Sequence, residues 1–123
     1  MFVSHKANDL PVRYLLEDRL TTKLSGVKLN GCFLNWTDQG ARAVKDASKR
    51  YEASKALIAK LGGRLVSAYV TTGQYDVVLT VDMPNGDAMT KFAVSLTSSG
   101  NARTTTVRAI PPEEFGKLAA EAP

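Results

Sequence analysis

The sequence contains few of the side chains that build metal centres, disulfides or catalytic triads. It has one cysteine, Cys32, and one histidine, His5. A lone cysteine cannot close a disulfide within the chain, and one cysteine with one histidine cannot form a cluster of soft metal ligands. A Ser-His-Asp triad would require His5, near the terminus, to fold across the site. We therefore predict neither a metal site nor a cofactor, and we interpret Cys32 as a core residue rather than a nucleophile.

Long apolar runs are also absent. No segment approaches the roughly 18 consecutive apolar residues of a membrane span, and the first ten residues, MFVSHKANDL, lack the apolar stretch of a signal peptide. The composition, 44% hydrophobic and 23% charged, is typical of globular domains. We therefore expect a soluble, cytoplasmic protein that does not bind membranes.

Basic charge is present but scattered. Sixteen Lys and Arg residues against twelve Asp and Glu residues give a net charge of +4. Several basic residues fall within or just before one predicted helix, namely Arg42, Lys45, Lys49, Arg50, Lys55 and Lys60. Asp46 and Glu52 interrupt this series, which favours a solvated helix face over a nucleic-acid surface. We do not expect nucleic acid as a partner.

The spacing of apolar residues alternates between strand and helix patterns. A strand-like run, VKLNGCFLNW, precedes an amphipathic stripe of Ala53, Leu57 and Leu61 that ends at Gly62. Two further strand-like runs, RLVSAYVT and YDVVLTVD, are joined by a short turn at Gly73 that is typical of hairpins. A second helical spacing in MPNGDAMTKFAVSL then precedes a β-branched strand, NARTTTVRAI, and a terminal helix, PPEEFGKLAA.

This order predicts an α+β fold of the ferredoxin-like type. The expected βαββαβ sandwich has a four-stranded antiparallel sheet with two helices on one face, a C-terminal helix and an N-terminal extension. We divide the chain into the extension, residues 1–28, in which NDLPVRYLLEDRL has the pattern of a short helix, and a domain of residues 29–123. The other sheet face has no cover within the chain. Because exposed apolar surface costs about 25 cal/mol per Å², we predict a homodimer or higher oligomer.

Four segments resemble the GYD domain family. They are LNWTDQG, KLGGRL, TTGQYDVV and SSGNARTTTVRA, and the residues that name the family stand here as Gly73, Tyr75 and Asp76. The resemblance, which runs approximately from Asn30 to Phe115, implies a ferredoxin-like domain of the dimeric α/β barrel type with a mostly unassigned role. Such domains commonly begin almost directly with the first strand. Residues 1–28 are therefore either an added docking element or the result of a start codon chosen too far upstream.

Polar side chains at the strand ends are candidates for ligand binding. The candidates are Asn35 and Trp36 at the end of the first strand, Asp38 just after it, Tyr75 and Asp76 at the start of the third strand, and Arg103 on the last strand. In this interpretation Tyr75 and Asp76 face a pocket between sheet and helices, and the carboxylate orients a substrate or accepts a proton. Arg103 then binds an anionic group through its two-pronged donor geometry.

The same residues also have structural interpretations. Asp76 can accept backbone N–H groups of the adjoining turn while the Tyr75 ring packs against the sheet. Trp36 can anchor the core or an interface, and Arg103 can form a salt bridge to Asp38 or Asp76. Arg103 and Arg108, five positions apart on one strand, should point to opposite faces.

Three functions stay open. The first is an oligomeric domain that binds a small polar or anionic ligand at the strand ends. The second is a cofactor-free enzyme of the dimeric α/β barrel type, monooxygenase- or isomerase-like, for which fold analogy is the sole support. The third is a structural or protein-interaction module that uses the basic helix or the extension. A binding site predicts a concave pocket lined by Tyr75 and Arg103, whereas a module predicts side chains paired with their neighbours.

Overall fold

The computed structural model describes residues 28–123. Its elements, in chain order, are strand β1 (Lys28–Trp36), a short helix α1 (Asp38–Arg42), a 3₁₀ turn (Val44–Asp46), helix α2 (Ala47–Lys60), strands β2 (Arg64–Val70) and β3 (Val77–Met83), helix α3 (Gly86–Ser98), strand β4 (Ala102–Arg108) and helix α4 (Pro112–Glu121). The predicted extension lies outside the described residues apart from Lys28, with which β1 begins.

The four strands form one antiparallel sheet in the order β2-β3-β1-β4. β1 lies in the middle, where Cys32 pairs with Leu79 of β3 on one side and with Thr106 of β4 on the other. Helix α2 connects β1 to β2, and α3 connects β3 to β4. The predicted α+β, ferredoxin-like fold is therefore confirmed. A register shift between Leu65 and Ser67 adds a bulge that we did not predict.

The core lies between the sheet and helices α2 and α3. Alternation along the strands places one set of apolar side chains on this face, and the helices cover them with their own apolar residues. The buried cluster consists of Cys32, Leu34, Leu79, Val81, Met83 and Ala102 from the sheet with Ile58, Ala88, Met89 and Phe92 from the helices. Burial raises the pKa of the Cys32 thiol to about 11, with a smaller opposing effect from a hydrogen bond to Thr106. Cys32 is thus a neutral core residue near neutral pH.

Local signals in the sequence fix the helix ends. The Asn85 side chain accepts a hydrogen bond from the Ala88 N–H at 2.8 Å and caps α3. After α2, Gly62 adopts a φ of +85°, a left-handed conformation that glycine favours. Helix α4 starts at Pro112, as the sequence predicted.

Candidate functional site

Three polar segments meet at one end of the sheet. They are residues 35–40 around the end of β1, residues 71–76 before β3 and residues 98–103 around the start of β4. Because β1 is antiparallel to both neighbours, its C-terminal end lies beside the N-terminal ends of β3 and β4. We call these segments the loop junction. It contains all six predicted site residues.

Asp76 joins its own segment to β1. Its carboxylate Oδ2 accepts a hydrogen bond from the Trp36 backbone N–H at 2.9 Å, while its backbone N–H donates to the Leu34 carbonyl oxygen at 2.9 Å. The Asn35 Nδ2 donates to the Gln74 carbonyl oxygen at 2.8 Å. The Asp76 carboxylate therefore binds the backbone of the neighbouring strand rather than that of its own turn.

The connection between β2 and β3 is longer than the predicted short hairpin turn. It spans residues 71–76, so Tyr75 and Asp76 precede β3 instead of opening it. The Thr71 N–H donates to the Asp76 carbonyl oxygen at 2.8 Å, and the Thr71 hydroxyl donates to the Tyr75 carbonyl oxygen at 2.7 Å. Gly73, with a φ of +126°, supplies the left-handed conformation within this loop.

The Tyr75 ring lies on the sheet face opposite the helices. It packs against Phe33, with ring centroids 4.8 Å apart and an interplanar angle of 31°. Phe33 alternates with Cys32 and Leu34, which are buried under the helices, so its side chain points to the other face. Tyr75 is thus placed as in the structural interpretation, with its ring packed against the sheet, and its ring is not on the helix side.

On the other side of the junction, Thr37 ties β1 to the segment before β4. Its backbone N–H donates to the Asn101 carbonyl oxygen at 3.1 Å, and its hydroxyl donates to the Gly100 carbonyl oxygen at 2.6 Å. The same hydroxyl accepts a hydrogen bond from the Gly40 N–H at 3.1 Å and so caps α1. Gln39 Nε2 donates to Asn101 Oδ1 at 3.0 Å. Sequence reasoning assigned no role to Gln39 or Asn101.

Asp38 and Arg103 lie at the exposed rim of the junction. Asp38 occupies the first turn of α1, where a negatively charged carboxylate interacts favourably with the helix dipole. Arg103 pairs with Asn35 in the β1–β4 ladder, whereas Arg108 pairs with Asn30. The two arginines therefore point to opposite faces, as predicted. Among residues 28–123 no ion pair joins Arg103 to Asp38 or Asp76, so that predicted salt bridge is not formed.

The six predicted residues do not line one pocket. Trp36 pairs with the buried Ala102 and lies on the helix side, while Asn35, Arg103 and Tyr75 lie on the opposite side of the sheet. The physical reason is the alternation of a strand, which sends adjacent side chains to opposite faces.

A cleft of about 640 Å³ opens at the same end of the sheet, between α2, α3 and the sheet. Of the six predicted residues it is lined by Trp36 alone, together with apolar side chains that include Leu57 and Leu96. Four alanines, Ala47, Ala53, Ala68 and Ala102, also line it. Their small side chains leave space between the two layers, but alanines in a sequence do not by themselves indicate a cleft.

Helix α4 has an apolar side that the described residues do not cover. None of its residues is buried, and Phe115 and Leu118, three positions apart on one helix side, are 59% and 44% exposed. We call Phe115 and Leu118 the α4 face. An apolar pair on a solvent-exposed helix is a candidate contact surface for another protein.

None of the described helices combines the length and apolarity that crossing a bilayer requires. Residues 28–123 contain no group of three or more His, Cys, Asp or Glu side chains placed to hold a metal ion.

Comparison with known proteins identifies the family. Residues 32–119 match the family model of the GYD domain. The chain therefore belongs to the GYD domain family, which confirms the resemblance seen in the sequence. A relative from Thermus thermophilus, named glutamine synthetase and cystathionine beta-lyase binding protein, is 33% identical over 76 residues, which are 61% of this chain and 80% of the relative. No solved structure matches the chain.

Proposed function

We propose that this member of the GYD domain family is a protein-interaction module that binds a metabolic enzyme. The observation that carries the proposal is the name of the Thermus thermophilus relative, which describes binding to two enzymes, glutamine synthetase and cystathionine beta-lyase. The match covers 80% of the relative, so most of that protein has a counterpart in this chain. Of the three functions left open by the sequence, this is the interaction module.

The contacts within the loop junction support a module. The polar atoms of Asp76, Asn35 and Thr37 bind backbone groups of neighbouring segments. Side chains paired in this way hold the fold together and are not directed at a ligand. The alternative of a cofactor-free enzyme stays a prediction from fold analogy.

The α4 face is our proposed contact surface, in place of the basic helix or the extension. An exposed amphipathic helix binds a partner by laying its apolar side into a groove, with anchors at i and i+3 or i+4. Phe115 and Leu118 have this spacing, and both lie within the matched region 32–119. In most interfaces a few side chains that become fully buried on binding contribute most of the affinity.

The test measures binding of the purified full chain to purified glutamine synthetase and to purified cystathionine beta-lyase by calorimetry. We expect at least one enzyme to bind, and Phe115→Ser to weaken that binding about tenfold or more, which is about 1.4 kcal/mol. Val94→Ser is the matched control, because Val94 on α3 is 57% exposed against 59% for Phe115. Equal affinity of both variants would place the contact elsewhere on the module. Absence of binding to both enzymes would contradict the proposed function.

We also propose that the chain forms a homodimer or higher oligomer through the sheet face opposite the helices. Phe33, Tyr75 and Val107 give this face an apolar surface, and Val107 is 41% exposed. A Cβ atom at Gly31 would lie 3.1 Å from Val107 Cγ2 and 3.7 Å from the Phe33 ring, so these side chains pack closely over the strand. Sedimentation velocity should show a dimer or larger species that Val107→Asp shifts toward monomer. A wild-type monomer at all concentrations would refute this assembly.

A further inference from the structure

We propose that the cleft between α2, α3 and the sheet binds a small apolar molecule that carries one carboxylate. This site is separate from the α4 face and does not depend on the proposed protein binding. Its volume of about 640 Å³ falls within the range of roughly 300–1,000 Å³ that small-molecule sites occupy. The cleft also has the composition of such sites, with apolar walls and a few polar groups.

The walls favour an apolar body. Trp36 from β1 and Tyr51 from α2 contribute aromatic rings, and Leu57, Leu79 and Leu96 contribute aliphatic side chains from both layers. A molecule that fills this space removes its own apolar surface and that of the walls from water, which is the main driving force for such binding. Aromatic walls also accept a flat ring by offset or edge-to-face packing.

The charge of the cleft favours a single anionic group. Arg50 is the one charged residue that lines it among the described residues, and no Asp or Glu does. The Arg50 guanidinium donates to the Ala43 carbonyl oxygen at 2.8 Å and to the Gly40 carbonyl oxygen at 3.3 Å, which fixes its position. Its other N–H groups have no described acceptor. A fixed guanidinium pairs well with a carboxylate, and one arginine among apolar walls suits one carboxylate better than a polyanion.

A tryptophan in the cleft allows ligand binding to be followed by fluorescence. Trp36 is the one tryptophan in the chain, and it lines the cleft, so tryptophan fluorescence reports on this place alone. We would titrate the unmodified full chain with 4-phenylbutyrate and with 4-phenyl-1-butanol, which has the same apolar body without the charge. We expect a saturable change with the acid and roughly fivefold weaker binding of the alcohol at low salt. No saturable change, or equal affinities for acid and alcohol, would overturn the proposal.

A matched pair of variants on one helix tests the location. Ala53 lines the cleft, whereas Ala59, also exposed on α2, does not. Ala53→Phe places a ring in the cleft and should weaken 4-phenylbutyrate binding about tenfold or more, while Ala59→Phe should leave it unchanged. Equal affinities of the two variants would exclude the cleft. If Ala53→Phe does not fold, the acid and alcohol titrations of the unmodified chain still decide. Enzyme binding through the α4 face should be the same in both variants, so the two proposals fail independently.

Discussion

The loop junction and helix α4 use their side chains in opposite ways. In the junction, Asp76, Asn35 and Thr37 direct their polar atoms to the backbone of neighbouring segments. In α4, no residue is buried, and Phe115 is 59% exposed. The recognisable GYD motif therefore lies where side chains already form hydrogen bonds within the fold. The exposed apolar surface lies on α4, where the sequence carries no distinctive motif.

The reason for this division is the chemistry of strand ends. Where a strand leaves the sheet, its backbone N–H and C=O groups lose their ladder partners and must find others. The Trp36 N–H donates a hydrogen bond to the Asp76 carboxylate, and the Gly100 carbonyl oxygen accepts one from the Thr37 hydroxyl. Polar side chains at such positions hydrogen-bond to these backbone groups and stabilise the fold, so the same polar atoms are not available to bind a ligand. A dense polar cluster at strand ends is thus weak evidence for a binding site.

The largest effect that separates the two regions should come from glycine substitutions. In Gly40→Ala, the new Cβ atom overlaps the Asn101 carbonyl oxygen, which is backbone and cannot easily move. We expect a loss of about 3 kcal/mol in the free energy of unfolding. Gly116→Ala on α4 is the control, because no atom lies within 4 Å of its added Cβ; it should be neutral or stabilise the helix by about 0.5–1 kcal/mol. Urea unfolding measures both, and similar losses would refute the contrast.

Asp76 gives the next largest expected effect. Asp76→Ala leaves the part-buried Trp36 N–H without its acceptor and should lower the free energy of unfolding by about 1–2 kcal/mol. Asp76→Asn retains a side-chain oxygen at the same place and should lose about half as much, since a hydrogen bond to a charged acceptor is stronger than one to an amide. Thermal and urea unfolding of both variants test this order. An alanine variant as stable as wild type would show that Asp76 is not structural.

The fold could be predicted because it depends on local periodicity. The alternation of Val77, Leu79 and Val81 and the helical spacing after residue 86 follow from neighbouring residues alone. The partners in the junction could not be predicted in the same way. The bond from the Trp36 N–H to Asp76 joins residues 40 positions apart, and no spacing rule specifies which of several acceptors will be closest.

The cleft was beyond sequence reasoning for a related reason. Its volume depends on the distance between two layers and not on any one element. The sequence shows the alanines that line it, such as Ala53 and Ala68, but alanine is equally common where two elements pack closely. Side-chain size reveals a cavity only when the surrounding backbone is known.

A smaller effect is expected from the core beneath the junction. The pKa of Cys32 rises from 9.0 to about 11 in the folded state through burial. The unfolded state therefore releases its thiol proton at a lower pH than the folded state. The contribution of the protonated Cys32 thiol to the free energy of unfolding is fully present below pH 9 and is lost progressively between pH 9 and about 11. The loss is about 1.4 kcal/mol by pH 10. Comparison with Cys32→Ala isolates this contribution, because both chains share all other titrating groups. The variant should show a shallower alkaline decline, and identical slopes would contradict the raised pKa.

The smallest effect on stability is expected for Phe115→Ser on the α4 face. Since Phe115 is exposed and α4 has no buried residue, the change should alter the free energy of unfolding by no more than about 0.5 kcal/mol. The same variant should lose most enzyme binding, whereas Asp76→Ala should weaken the fold and leave the affinity of the folded fraction unchanged. Calorimetric binding and urea unfolding of the two variants, run side by side, separate these outcomes. An apolar helix face is free to bind a partner only if the domain does not need it for its own stability. A Phe115→Ser variant that unfolds easily would therefore show that α4 belongs to the core, and the contrast between α4 and the loop junction would be lost.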